Sequence, residues 1–399
     1  MQVNQLQDSR YQSMDVLVPE NGYEEMHGWL GDPLWEPPRK VVHCDLEARP
    51  GYITKQAHEY EDTPHVMQQK ILLLAQLVRR SEKCLVYTGA GISTSSGIND
   101  YATRGQHTQM NIPRLRSPLE AQPTYAHRSL AAMYRAGMIH QWVQQNHDGL
   151  PQKAGFPQHM INEIHGAWYD PSNPVVPMSG SLRSDLFSSM IEWENQADLC
   201  LSMGTSMCGM NADRVFTTVA NKGKAGSSIG GVIVNSQQTQ FDSLSCLRIF
   251  GKIDTVMKLL MDELGLTTQP MTERYRPDVA REKIKQDDVF IIPYNRNGQR
   301  LSTDSSFLRP WNQKQSGTSH LTLLDLREGS VVRLVSGPYE GDTGEVLGKN
   351  REGHYRIQFS HVVKASKTPR PFERLLGSWW VEAAVKGTVD SIPVVNISK

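Results

Sequence analysis

No two of the five cysteines (Cys44, Cys84, Cys200, Cys208, Cys246) stand in a Cys-x-x-Cys pair, and their number is odd. Neither a disulfide framework nor a zinc ribbon is indicated by that usage. No apolar run approaches the about 18 residues that a membrane-crossing helix needs. The opening "MQVNQLQDSRYQSMDV" lacks the basic-then-apolar pattern of a secretion signal. The chain therefore reads as intracellular and cytoplasmic, with no membrane partner. Excess charge is missing too: 42 Lys plus Arg balance 42 Asp plus Glu, which leaves no overall bias toward nucleic acid or an anionic surface. No repeat at a fixed period is present.

What is there suits a globular protein. The 399 residues suffice for one large domain and a smaller one, with 38% apolar and 21% charged side chains. The neutral total hides an asymmetry, since residues 1–65 carry twelve acids against five bases. That stretch is rich in Pro and Gly and holds Trp29 and Trp35, so it reads as an extended acidic arm lying on some surface.

From Val66 the pattern changes. "VMQQKILLLAQLVRRSE" repeats apolar residues at helical spacing, and "KCLVYT" after it is a short buried strand. "HQWVQQN", "DLCLSM", "GVIVN" and "CLRIF" are further strands. "YAHRSLAAMYRAG", "SDLFSSMIEWENQA" and "IDTVMKLLMDELG" are helices between them. Such alternation predicts an α/β fold with a parallel sheet covered on both faces, over residues 66–266. Residues 267–327 lose the alternation and read as a linker or wrapping segment. "VVRLVSGPYEGDTGEVLGKNREGHYRIQF" then predicts a small β-barrel over 328–385, followed by a tail at 386–399.

The chemistry concentrates in "VYTGAGISTSSGINDYATRG" (residues 86–105). A strand, then glycines, then a helix is a phosphate-cradling design, because glycine lets the backbone turn tightly beside a pyrophosphate and the helix start offers free N–H groups. The same pattern also serves as a plain tight turn. Three strand ends add to it: "QQNHDGL" (144–150), "MGTS" (203–206) and "IVN" (233–235) all fall at the carboxyl edge of a parallel sheet, where a nucleotide sits. "EIHGAW" (163–168) supplies a histidine; a single histidine is more often structural, but five motifs in one order are not explained that way.

TGAGIS, GI-x-DY, QN-x-D-GL, HG, GTS and IVN, in this order, resemble the sirtuin family of NAD-dependent protein lysine deacylases. The resemblance implies a Rossmann-like domain with a reduced small domain, and NAD as cofactor. It implies that Gly89, Ala90, Gly91 and Ser93 hold the pyrophosphate and that Tyr101 flanks the nicotinamide ribose. Gln145 and Asn146 would contact that ribose, and Asp148 the nicotinamide amide. Gly204, Thr205, Ser206 and Asn235 would surround the adenosine half, with Ile253 at the adenine. His165, neutral near pH 7, would be the general base, with Asn146 and Asp148 completing the catalytic set.

Three departures stand beside the resemblance. The family's two Cys-x-x-Cys pairs after the HG motif have no counterpart, since no cysteine stands between Cys84 and Cys200; the expectation is a protein with no metal site. "NDYA" puts Ala102 where the family has arginine, and His147 replaces an apolar residue beside Asp148. These changes leave three functions open: a deacylase, an NAD glycohydrolase with water as nucleophile, and a structural scaffold that kept the fold. The carboxyl-terminal module resembles a KOW or SH3-like barrel. Residues 331–399 carry ten bases and seven acids, too mild a charge to require RNA. Protein partners, met through the arms and this barrel within a larger or cytoskeletal assembly, are the expectation, together with an acyl-lysine protein substrate.

Overall fold

In the computed structural model, which describes residues 15–99, 115, 117–177, 180–208, 210–269, 288–301, 321–362 and 369–397, helix α1 runs from Pro64 to Arg80. Thr63 precedes it with extended backbone and Pro64 opens it, which suits a ring that fixes φ and lacks an N–H. Val66, Met67, Ile71, Leu74, Ala75, Leu77 and Val78 form its buried stripe. Contacts divide the chain into two compact units, Met1–Asn146 with Ser184–Pro270, and His147–Arg183 with Met271–Lys399.

The first unit alternates strands and helices: β1 (Cys84–Thr88), α2 (Tyr125–Arg135), β2 (Gln141–Gln144), α3 (Ser184–Gln196), β3 (Leu199–Met203), α4 (Arg214–Lys224), β4 (Gly230–Val234), β5 (Leu247–Ile249) and α5 (Ile253–Leu264). It contributes five parallel strands in the order β5-β4-β3-β1-β2, with Leu85 beside Gln141, Cys84 beside Leu199, and Leu199 beside Gly230. All five are buried at every position. Continuous rather than alternating apolarity is what a parallel sheet covered on both faces requires, and the expected α/β fold holds.

Two features differ from expectation. The helix expected after the glycines is instead a pair of 3₁₀ turns, Ala90–Ile92 and Thr94–Ser96. Hydroxyls compete there for helix carbonyls: Thr94 Oγ1 donates to Gly91 O at 3.0 Å and Ser96 Oγ to Ser93 O at 2.6 Å. Helix α4 is not announced by its local sequence, because "RVFTTVANKGK" carries four β-branched residues and a glycine. It forms because Val215, Phe216, Val219 and Ala220 are buried along one stripe.

The surface on which the arm lies is this chain's own. Arg39–Val42 pairs antiparallel with Glu59–Glu61. Trp29 N donates to Ser245 O at 3.1 Å, Tyr60 N to Ser236 O at 2.8 Å and Asp62 N to Phe250 O at 2.9 Å. Asp62 also meets Lys70 of α1 at 2.6 Å with neither side chain exposed.

The second unit contains an antiparallel sheet of five strands in the order β11-β10-β9-β8-β12. These are β8 (Val331–Leu334), β9 (Thr343–Lys349), β10 (Tyr355–Val362), β11 (Pro369–Leu376) and β12 (Val394–Asn396). Helix α6 (Ser378–Lys386) lies between the last two in sequence, so Trp379 and Trp380 stand on a helix. The stretch read as a linker supplies β6 (Val289–Ile292), paired with β7 (Thr322–Asp325). Phe290, Ile292 and Leu324 share one core with Val332, Val346, Ile357 and Val394. The local sequence carries no sign of this, because β6 finds its strand partner β7, and both find their core neighbours, only far along the chain. No helix among the described residues is long and apolar enough to cross a membrane.

Candidate dinucleotide site

The carboxyl ends of β1, β3 and β4 are stitched together by backbone. Gly89 N donates to Met203 O at 3.2 Å, Gly91 N to Gly204 O at 2.8 Å, and Gly204 N to Val234 O at 3.1 Å. A Cβ on Gly91 would lie 2.8 Å from Gly204 Cα, and one on Gly89 2.8 Å from Thr205 Cβ. The glycines are therefore demanded first by one loop lying on another. Ligand approach is a second use of the same space. No backbone carbonyl among the described residues takes up the Ala90 N–H, by contrast, and an amide left over by the backbone in a glycine turn behind a parallel strand fits an anionic group such as a pyrophosphate.

Side chains just past the end of β2 lock onto this loop. Asn146 Nδ2 donates to Gly89 O at 3.1 Å and to Ser93 Oγ at 3.0 Å, with Ser93 wholly buried. Gln145 Nε2 donates to Thr205 Oγ1 at 3.0 Å, and Asn235 Nδ2 to Thr205 O at 3.3 Å. Ile253 opens α5, its Cδ1 2.8 Å from where a Gly204 Cβ would stand. Ser206 is half-buried in the same loop. Thus Gly89, Ala90, Gly91, Ser93, Gln145, Asn146, Gly204, Thr205, Ser206, Asn235 and Ile253 come together in the first unit. Tyr101, like Ala102, lies outside the described residues.

Two supporting residues, Tyr87 and Arg248, carry no motif that marks them in the sequence. Tyr87, fully buried on β1, donates to Asp213 Oδ1 at 2.7 Å and accepts from Gln145 Nε2. Burial, reinforced by the Asp213 charge, holds the Tyr87 phenol well above its ordinary range, so it remains a donor. Arg248, also fully buried, donates to Asn235 O at 2.9 Å, Gln237 O at 2.6 Å and Asp242 Oδ1 at 2.8 Å. An arginine inside the apolar run "CLRIF" was the available signal.

Asp148 and His165 belong to the second unit, on loops zipped to one another. His147 Nδ1 donates to Gly166 O at 2.8 Å, which fixes the proton on Nδ1, and Trp168 N donates to His147 O at 2.9 Å. The His147 ring thus satisfies a backbone carbonyl beside His165. Asp148 is buried, its Oδ1 accepting from Leu150 N at 3.0 Å, and His165 is half-buried. Near them burial, with Asp170 adding to it, pushes the Glu163 carboxyl up to about 8.

Among the described residues one group has metal-ligand geometry: His43, Asp45 and His58 on the arm. His58 Nδ1 accepts the Cys44 N–H at 2.9 Å. That leaves the proton of neutral His58 on Nε2 and argues against its serving as a ligand through that atom.

The fold and these strand-end loops define the class: a Rossmann-like α/β protein with a dinucleotide-type site. No protein-family model matches the chain. It is 29% identical over 286 residues to the NAD-dependent protein deacetylase sirtuin-7 of Bos taurus, covering 60% of this chain and 68% of that one. It is 30% identical over 257 residues to the NAD-dependent protein deacetylase SRT1 of Arabidopsis thaliana, covering 53% of each. The chain thus spans about two thirds of the one relative and about half of the other. A solved Sir2–p53 peptide–NAD+ complex covers 48% of this chain at 24% identity with a TM-score of 0.42. The chain is thus similar to NAD-dependent protein deacetylases over rather more than half of its own length.

Proposed function

We propose that the protein binds NAD and acts as an NAD-dependent protein lysine deacylase. The observation that carries the reading is the meeting of Gly89, Gly91, Ser93, Gln145, Asn146, Gly204, Thr205 and Asn235 at the ends of four parallel strands. In this reading the Gly89–Ser93 turn faces the pyrophosphate and the Gly204–Ser206 loop, Asn235 and Ile253 hold the adenosine half. Tyr101, Gln145 and Asn146 serve the nicotinamide ribose. NAD, when bound, supplies the acceptor for the acyl group, with nicotinamide as leaving group. Asp148 accepts a hydrogen bond from the nicotinamide amide. His165 is the general base, taking up a proton on an imidazole nitrogen. No structural zinc is part of the proposal, and the remaining partners are proteins met in the cytoplasm within a larger assembly.

The test is to follow nicotinamide release from NAD with and without acyl-lysine peptides. Release that requires peptide supports the deacylase. Release without peptide points to the glycohydrolase, and binding without any release to a scaffold.

A further inference from the structure

We propose that Trp379 and Glu352, both from the carboxyl-terminal module, are positioning residues for Asp148, so that this module sets how well the nicotinamide end of NAD is recognised. The inference rests on the NAD reading above and concerns contacts within the second unit alone.

Asp148 is held by the first N–H of the helix that follows it, through Leu150 N at 3.0 Å. That helix, Leu150–Lys153, is a single turn. One turn cannot hold itself in water, because the cost of nucleation is not recovered by so few bonds. Its orientation must be imposed from outside, and the module imposes it at both ends.

At the start, Gly149 has a left-handed φ of +65°, and a Cβ there would stand 2.7 Å from the Tyr169 ring and 3.1 Å from the Trp379 ring. Tyr169, His354 and Trp379 form a three-ring cluster, with centroids 4.8, 4.9 and 5.0 Å apart. Backbone bonds lock this cluster: Gly377 N donates to Tyr169 O at 2.8 Å, and Ser378 N to His354 Nδ1 at 3.2 Å. Burial, assisted by the Lys153 charge, pulls the His354 imidazole down to about 3, so it stays neutral and keeps accepting that bond.

At the end of the turn, the Lys153 ammonium is fully buried and lies 3.0 Å from Glu352 Oε2. Burial pulls its pKa down, while Glu352 first and Asp148 after it hold it up. Lys153 is therefore ion-paired with the module's Glu352, and its charge also acts on Asp148. Removing the Glu352 charge would take a carboxylate from the buried Lys153 ammonium and change the field at Asp148. The same module also presses on the stretch after His165, where a Cβ on Gly337 would lie 1.9 Å from Ser172 O.

The experiment is calorimetric titration of the full chain with NAD and with ADP-ribose, which lacks nicotinamide, for wild type, Trp379→Leu, Trp379→Phe and Glu352→Gln. We expect NAD affinity to fall about tenfold in Trp379→Leu and Glu352→Gln. ADP-ribose affinity should stay within about twofold, and Trp379→Phe should recover most of the loss. Melting curves report folding, and the isosteric Glu352→Gln keeps the test alive should Trp379→Leu not fold. Folded variants that keep the wild-type ratio of the two affinities, or lose both ligands in parallel, overturn the inference alone. Wild type that binds neither ligand, or both equally, overturns the nicotinamide reading and the inference with it.

Discussion

Tyr87 donates its phenol proton to Asp213 Oδ1 at 2.7 Å while accepting the Gln145 amide, so a tyrosine inside the sheet carries the load of a loop at its edge. Asp213 Oδ2 in turn accepts Met210 N at 2.8 Å, which ties down the segment following Gly204–Ser206. Tyr87→Phe would strip Asp213 of a donor in a buried place and leave Gln145 one partner short. A loss of about 1–3 kcal/mol in urea denaturation is expected. Weaker NAD binding should accompany it by calorimetry. Unchanged stability would mean that Asp213 finds another donor.

Gly91→Val should destabilise the protein as well as abolish NAD binding. The loop contact to Gly204 leaves no room for a Cβ, so the backbone must move before any ligand arrives. A lowered melting temperature together with lost NAD affinity is the expected pair. A variant that melts like wild type yet fails to bind NAD would restore ligand approach as the sole reason for the glycine.

His165→Ala should lower deacylation by about 10²–10⁴-fold, the usual worth of a positioned general base. NAD affinity should change far less, because the adenosine side is assigned to residues of the first unit. Asn146→Ala should cripple turnover and also loosen the loop, since its amide bonds both Gly89 and Ser93. Equal slow nicotinamide release from wild type and His165→Ala would speak against either enzymatic reading.

Glu163 should make stability pH-dependent in a direction opposite to an ordinary paired carboxylate. Its carboxyl titrates near 8 when folded against 4.5 as the ordinary value, chiefly through burial and then through Asp170. The folded state thus binds a proton that the unfolded chain releases, so stability is fully present below about 4.5 and declines until about 8. The slope is at most about 1.4 kcal/mol per pH unit. Asp170 is shifted up as well, which adds to the same trend. Glu163→Gln should flatten the decline in melting temperature between pH 5 and 8. A wild-type profile that is already flat would show that Glu163 ionises without cost.

The sequence by itself determined the parallel α/β unit, because burial on both faces writes continuous apolar runs such as "CLVYT" and "LCLSM" that need no knowledge of the partner strand. It also determined which loops would meet, since parallel strands bring all their carboxyl ends to one edge whatever their order. Tertiary structure decided the rest. Only the approach of Gly204 showed that Gly91 is required by packing, and only the buried phenol of Tyr87 revealed what Gln145 leans on. The carboxyl-terminal module was legible as short strands but not in extent, because β6, β7 and β12 join its core through contacts distant in sequence. The pairing of Lys153 with Glu352 spans 199 residues of chain. Local pattern carries periodicity and turn chemistry, whereas a buried charge finds its partner only once the fold has brought both out of water.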